Sequence, residues 1–149
     1  MSNSLAKNFE EIFGGLTTYA ATVEANRCLY CYDPPCVKAC PTSINIPSFI
    51  KKIASNNMKG SARVIMEANP VGASCARVCP TIELCEGACV LNSEEKPIQI
   101  GHLQRYATDW LRDSNVNLFT PKPANGKKIA IIGSGPAGLS AARELALLG

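Results

Sequence analysis

Aromatic side chains are scarce: Phe, Tyr and Trp make up 6% of the 149 residues, with a single tryptophan. A core of stacked rings is therefore excluded, and a chain of this length must hold a modest core by other means, metal ligation among them. Histidine occurs once, at His102, so a site built on paired imidazoles is excluded too. Charge of one sign is in short supply: the net charge of +3 is too small to argue for a nucleic-acid partner. No apolar run approaches the roughly 18 residues that a membrane-spanning helix needs, so no membrane partner is expected. The first fifteen residues lack a basic segment followed by an apolar one and do not read as a signal peptide, so a cytoplasmic location is expected. No set of side chains looks like a general acid, a general base or an activated nucleophile, and no catalytic residue is assigned. Hydrophobic residues still make up 46% of the chain, which places it among globular proteins.

Cysteine, by contrast, is abundant. Eight residues fall into two groups of four: Cys28, Cys31, Cys36 and Cys40, then Cys75, Cys79, Cys85 and Cys89. In a reducing compartment disulfides are a poor account of such a count, and metal is a better one. The first group runs C-x2-C-x4-C-x3-C-P. That pattern echoes the bacterial ferredoxin run, in which three cysteines hold one iron–sulfur cluster and the fourth reaches across to a second. Cys36–Cys40 and Cys75–Cys79 share a spacing, and each pair is followed by proline. Residues four apart on a helix face the same way, and an exchange of last ligands between the two groups would tie the halves together. Eight thiolates suffice for two [4Fe–4S] centres, which predicts electron transfer.

Zinc competes with this reading. Its sites use C-x2-C pairs, usually a dozen or more residues apart, whereas the first four cysteines here fall within thirteen positions. A zinc-stapled structural or interaction module remains the alternative of another class. Arg27, Lys38 and Arg77 lie among the cysteines and either offset the charge of an anionic cluster or are ordinary solvated side chains. Histidine ligation of the Rieske kind needs two imidazoles on one iron, so His102 reads as a solvent-facing helical residue.

The first part of the chain is predicted to be mostly helical. Residues 3–13 form an amphipathic pattern with Leu5, Phe9, Ile12 and Phe13 on one side. Thr18 to Arg27 follows as a helix running into the first cysteine loop, where Asp33-Pro34-Pro35 forces a turn. Pro47 suits the first turn of a helix carrying Phe49, Ile50 and Ile53. A helix over 61–68 turns Ala62, Ile65 and Ala68 inward and stops near Asn69-Pro70. A longer one spans roughly 98–113, with Ile100, Leu103, Ala107, Trp110 and Leu111 at helical spacing. No strand is predicted before residue 127. Residues 119–126 read as a linker. After it, 127–132 is an apolar run suited to a buried strand, and Gly133, Gly135 and Gly138 open a helix over 139–148. This is the strand–glycine–helix context of a dinucleotide fingerprint. The glycines serve the tight turn, the approach of a pyrophosphate and close helix packing. The expected division is thus a helical cluster domain over 1–118, the linker 119–126, and the start of a Rossmann-type unit over 127–149.

Three stretches together resemble the N-terminal iron–sulfur domain of the dihydropyrimidine dehydrogenase family and, less closely, the glutamate synthase small chain. They are Cys28 to Pro41, Gly72 to Cys89 and Pro97 to Asp109, joined by the glycine fingerprint. The resemblance implies a mainly α fold, an α-helical ferredoxin-like two-cluster domain ahead of nucleotide-binding domains. It implies that NAD(P)H delivers hydride to FAD in the full-length protein. Single electrons then pass by way of two [4Fe–4S] clusters to an FMN-containing partner domain or subunit that reduces a pyrimidine. The glutamate synthase branch would serve glutamate synthesis instead. The resemblance also implies the ligands: Cys28, Cys31, Cys36 and Cys89 for one cluster, and Cys40, Cys79, Cys85 and the amide oxygen of Gln104 for the other. Counting thiolates alone makes Cys75 the eighth ligand, whereas the resemblance leaves Cys75 out.

Overall fold

In a computed structural model of the chain, residues 11–94 and 96–149 are described. In chain order the helices are α1 (Thr18–Asn26), the single turn α2 (Pro35–Lys38), α3 (Ile46–Ala54), α4 (Met58–Ala68), α5 (Gly72–Val78), α6 (Ile100–Ser114) and α7 (Pro136–Leu148), with a 3-10 turn at Val90–Ser93. No strand forms among the described residues. No helix among them is long and apolar enough to cross a membrane.

Helix starts follow local capping chemistry, in which a short polar side chain takes up an orphan N–H. Thr17 accepts from the Ala20 N–H at 3.2 Å, Asn45 from Ser48 at 3.1 Å and Asn57 from Gly60 at 2.9 Å. Pro47 lies in the first turn of α3, where its missing N–H costs nothing. The apolar faces of these helices then close on one another. Phe49, Ile50 and Ile53 of α3 meet Met58 and Ile65 of α4, Ile100, Leu103 and Ala107 of α6, and Ala21 and Ala25 of α1, all of them buried. Each large aliphatic or Phe side chain removed from water this way contributes about 1.5–3 kcal/mol. Small residues bring α3 and α4 close: Ser61 is fully buried and donates its hydroxyl to the Phe49 carbonyl at 3.0 Å.

Helix α6 has no cap of its own and no acidic residue in its first turn. Two distant carboxylates serve instead. Glu24 Oε1 accepts from the Gln99 N–H at 2.9 Å, and Glu86 Oε1 accepts from the Gly101 N–H at 2.9 Å. They satisfy orphan donors and place negative charge at the positive end of the helix dipole.

Several expectations need correcting. The helix expected over 3–13 lies mostly outside the described residues; residues 11–13 are not helical, and Ile12 and Phe13 are exposed. Helix α4 starts three residues before the predicted 61, at the Asn57 cap. Ala68, Trp110 and Leu111 are half-buried at the edge of the core. The buried strand expected at 127–132 does not form: this run is exposed, with Ile132 fully so. A strand exists by its ladder bonds, and among the described residues only helix α7 lies beside this run, with its backbone groups bonded within the helix. Its successor helix does form, as α7. The chain between α6 and α7 carries Phe119, whose ring lies 5.5 Å from the Arg63 guanidinium and 4.2 Å from that of Arg143.

Candidate metal centres

The eight cysteine thiols are free and divide between two cavities. Leaving α1, the chain enters the first cysteine loop through Tyr30, whose φ of +51° is the left-handed turn that doubles the loop back. Pro34 and Pro35 then start α2, which carries Cys36. Cys89 arrives from the far end of the second group. Cys28, Cys31, Cys36 and Cys89 line one cavity, with Ile50, Ile98 and Ile100 behind them.

Cys40, Cys75, Cys79 and Cys85 line the second cavity, and Gln104 joins them from α6. Cys36 and Cys40 thus part company, although the same-face rule for residues four apart would pair them. The reason is length: α2 ends at Lys38, so Cys40 lies past its end and the helical register no longer applies. Cys75 and Cys79, at the same spacing, do stay together: Cys79 is the first residue after α5, and its N–H still closes a helical bond to the Cys75 carbonyl at 2.9 Å. Cys85 is carried by a tight turn. A Cβ on Gly87 would lie 1.9 Å from the Ile82 carbonyl oxygen, so only glycine fits there.

Electrostatics divides the sulfurs the same way. Burial pushes the Cys36 thiol up to about 11, and the charges of Cys28, Cys89 and Cys31 add to it, against a hydrogen bond from the Val37 N–H. Burial likewise raises Cys28, with Cys31 and Cys89 adding and the Tyr30 N–H opposing. In the other cavity burial pushes Cys85 up to about 12, helped by Glu86, Cys40 and Cys79. Cys79 is raised by burial, then by Cys75, Cys40 and Glu86. Each of these four sulfurs feels members of its own cavity. Anionic sulfur in such a place calls for a cation, and backbone N–H groups already point at three of the sulfurs.

Neither lining contains a charged side chain other than these thiols. Among the described residues no three His, Cys, Asp or Glu side chains meet at single-ion spacing; the sulfurs ring a space instead. Soft donors around an apolar hollow fit an iron–sulfur cluster. Ile46, at the start of α3, lines both cavities and is their common wall. Of the basic residues near the cysteines, Arg27 pairs with Glu24 at 2.8 Å, Lys38 with Asp33 at 2.5 Å and Arg77 with Asp109 at 2.6 Å. Each therefore has a carboxylate partner, and none lines either cysteine cavity. His102 borders a separate hollow with Arg77 and Arg105.

Gln104 is buried, and its Nε2 donates to the Gly72 carbonyl at 2.8 Å. Asn69, read from sequence only as a helix stop, also lines the second cavity; its Nδ2 donates to Cys75 Sγ at 3.2 Å. No sequence spacing marks Asn69 or Ile46, because each acts through a neighbour brought up by folding. The glycine fingerprint lies apart, at the start of α7. Gly133 has φ of +107°, and a Cβ on Gly138 would fall 2.2 Å from the Gly133 carbonyl, so the turn requires both glycines. Gly135 caps the helix.

Residues 5–116 match the family model described as dihydropyrimidine dehydrogenase domain II, 4Fe-4S cluster. The chain is 44% identical over 140 residues to a Salmonella typhi protein described as an NAD-dependent dihydropyrimidine dehydrogenase subunit PreT homolog, covering 94% of this chain. It is 43% identical over 136 residues to the PreT subunit of Escherichia coli K12, covering 91%. The aligned stretch spans about a third of those relatives, 34% and 33% of their lengths.

Proposed function

This chain belongs to the family of dihydropyrimidine dehydrogenase iron–sulfur domains, and we propose that it carries electrons between FAD and a partner subunit within a longer NAD(P)H-dependent pyrimidine-reducing enzyme. The single observation that carries this reading is the division of the thiols between two apolar cavities that share Ile46 as a wall. A [4Fe–4S] centre, when bound, supplies one-electron chemistry.

The chain's own residues supply the rest. Cys28, Cys31, Cys36 and Cys89 would hold one centre. Cys40, Cys79, Cys85 and the Gln104 oxygen would hold the other. The isoleucine walls back the sulfurs with apolar surface, and the N–H groups of Tyr30, Val37 and Glu86 steady the thiolate form. With a neutral amide for a thiolate, the second site carries one negative charge less than the first, which sets the two potentials apart. We place the helical unit over 1–118, the linker over 119–126 and the start of the FAD unit over 127–149. There Gly133, Gly135 and Gly138 would take the dinucleotide pyrophosphate at the N-terminus of α7. The relatives are named as NAD-dependent subunits. On the resemblance carried by the cysteine runs, the partner would be an FMN-containing domain or subunit and the compartment the cytoplasm.

Anaerobically prepared protein should hold about eight irons and eight acid-labile sulfides. Stoichiometric zinc without sulfide would overturn the reading. Gln104→Ala should damage one centre selectively while Cys75→Ser keeps both. The reverse outcome would restore Cys75 as a ligand.

A further inference from the structure

The residue at issue is Asn69, and the inference rests on the reading of Gln104 as fourth partner to Cys40, Cys79 and Cys85. Two side chains in the second cavity compete for that place, Gln104 and Cys75. Thiolate is the softer donor and on chemistry alone should win. Cys75 lies one helical turn before Cys79, so only a side-chain rotation separates it from the others.

Two buried amides, set in opposite senses by adjacent backbone groups, decide the matter. Asn69 is 4% exposed, and its Oδ1 accepts from the Val71 N–H at 3.1 Å. An N–H can only donate, so this bond fixes the amide and turns Nδ2 to Cys75 Sγ, 3.2 Å away. One residue further, the Gly72 carbonyl accepts from Gln104 Nε2 at 2.8 Å. A carbonyl can only accept, so this second amide is fixed the other way round, and its oxygen is the atom left for the cavity. Gly72 itself has no room to move toward α4: a Cβ there would lie 2.7 Å from Ile65 Cγ2.

We propose that Asn69 is a positioning residue that withholds Cys75 from the second centre and leaves its fourth place to Gln104. The test uses anaerobically loaded protein and reads the midpoint potential of each centre, the alkylation rate of Cys75 by iodoacetamide, and iron content. Asn69→Ala removes the hold. Cys75 should then enter the centre, its alkylation should slow, and one of the two potentials should fall, because thiolate in place of amide adds a negative charge. Asn69→Ala combined with Cys75→Ser should return that potential to the parent value. Loss of structure alone would lower iron content and would not be rescued by removing Cys75. Asn69→Asp provides the nearly isosteric check: it keeps the bond to Val71 but has no N–H for the sulfur, and should slow alkylation in the same way. Parent potentials and an unchanged Cys75 rate in both Asn69 variants overturn the proposal. So does a shifted potential in Cys75→Ser alone. If Gln104→Ala leaves both potentials untouched, the underlying ligand reading has failed instead.

Discussion

Glu24 joins the end of α1, the segment before α6 and the start of α6, and its removal gives a stability loss that can be worked out in advance. Its Oε1 accepts from Arg27 Nη1 at 2.8 Å and from the Gln99 N–H at 2.9 Å, while Arg27 donates in turn to the Lys96 carbonyl at 2.6 Å. Glu24→Ala deletes a capping bond of about 1 kcal/mol and a charge–dipole contribution of up to about 1 kcal/mol. The ion pair adds a third part. The two side chains are 12% and 29% exposed, so solvent screens the pair in part. It counts nearer the ~1 kcal/mol of a surface pair than the ~3–5 kcal/mol of breaking a buried one. The total is about 2–3 kcal/mol, or a fall in Tm of roughly 6–12 °C for a domain of this size. Glu24→Gln keeps an oxygen for Gln99 and loses only the charge, so its fall should be about half as large. The assay is thermal unfolding by far-ultraviolet circular dichroism, anaerobic, at one heating rate, with iron content matched. A Glu24→Ala protein melting within about 2 °C of its parent would show that water serves this helix end equally well and would refute the capping argument.

Leu103→Ala empties a fully buried position between α6 and its neighbours and should cost about 3–5 kcal/mol by chemical denaturation; a cost under about 1 kcal/mol would mean the core collapses around the gap. Gly87→Ala forces a methyl against the Ile82 carbonyl and should strip iron from the centre nearest Cys85 while far-ultraviolet helicity stays close to the parent; full iron content would contradict the tight turn. Burial raises the Asp109 carboxyl, but hydrogen bonding and charge from Arg77, the Arg105 hydrogen bond and the Arg112 charge outweigh it and hold it below the usual range. A depressed carboxyl stabilises the fold above its unfolded pKa of about 3.9 and loses that contribution as pH falls through the lower folded value. The stability difference between parent and Asp109→Asn should therefore be present at neutral pH and shrink as the solution is acidified. A pH-independent difference would assign Asp109 a packing role only.

Helix identity was legible from local pattern. The periodic faces Phe49–Ile50–Ile53 and Ile100–Leu103–Ala107 mark α3 and α6, and both faces are buried. The caps Thr17, Asn45 and Asn57, short polar residues that satisfy their own chain's N–H groups, were not singled out in the sequence, and the start of α4 was accordingly expected three residues late. Cysteine spacing likewise marked two groups of candidate metal ligands, the first opening with a C-x2-C turn that gathers sulfurs within a few residues. The run at 127–132 had the composition of a strand, but a strand takes its bonds from another segment, and composition does not say whether one is at hand.

The grouping of the sulfurs belongs to the tertiary structure. Cys36 and Cys40 are four residues apart in the chain and line different cavities, while Cys89 joins a group that begins 61 positions earlier, at Cys28. Glu24 reaches Gln99 across 75 positions to cap a helix that lacks a cap of its own. The sense of the Gln104 and Asn69 amides is set by the backbone of residues 71 and 72. Local pattern decides what a segment of this chain can become, because helix periodicity, caps and loop closure are satisfied within a few residues. Which donor faces which acceptor, and which sulfur shares a cavity with which, depends on segments that meet only when the apolar faces of α1, α3, α4 and α6 close together.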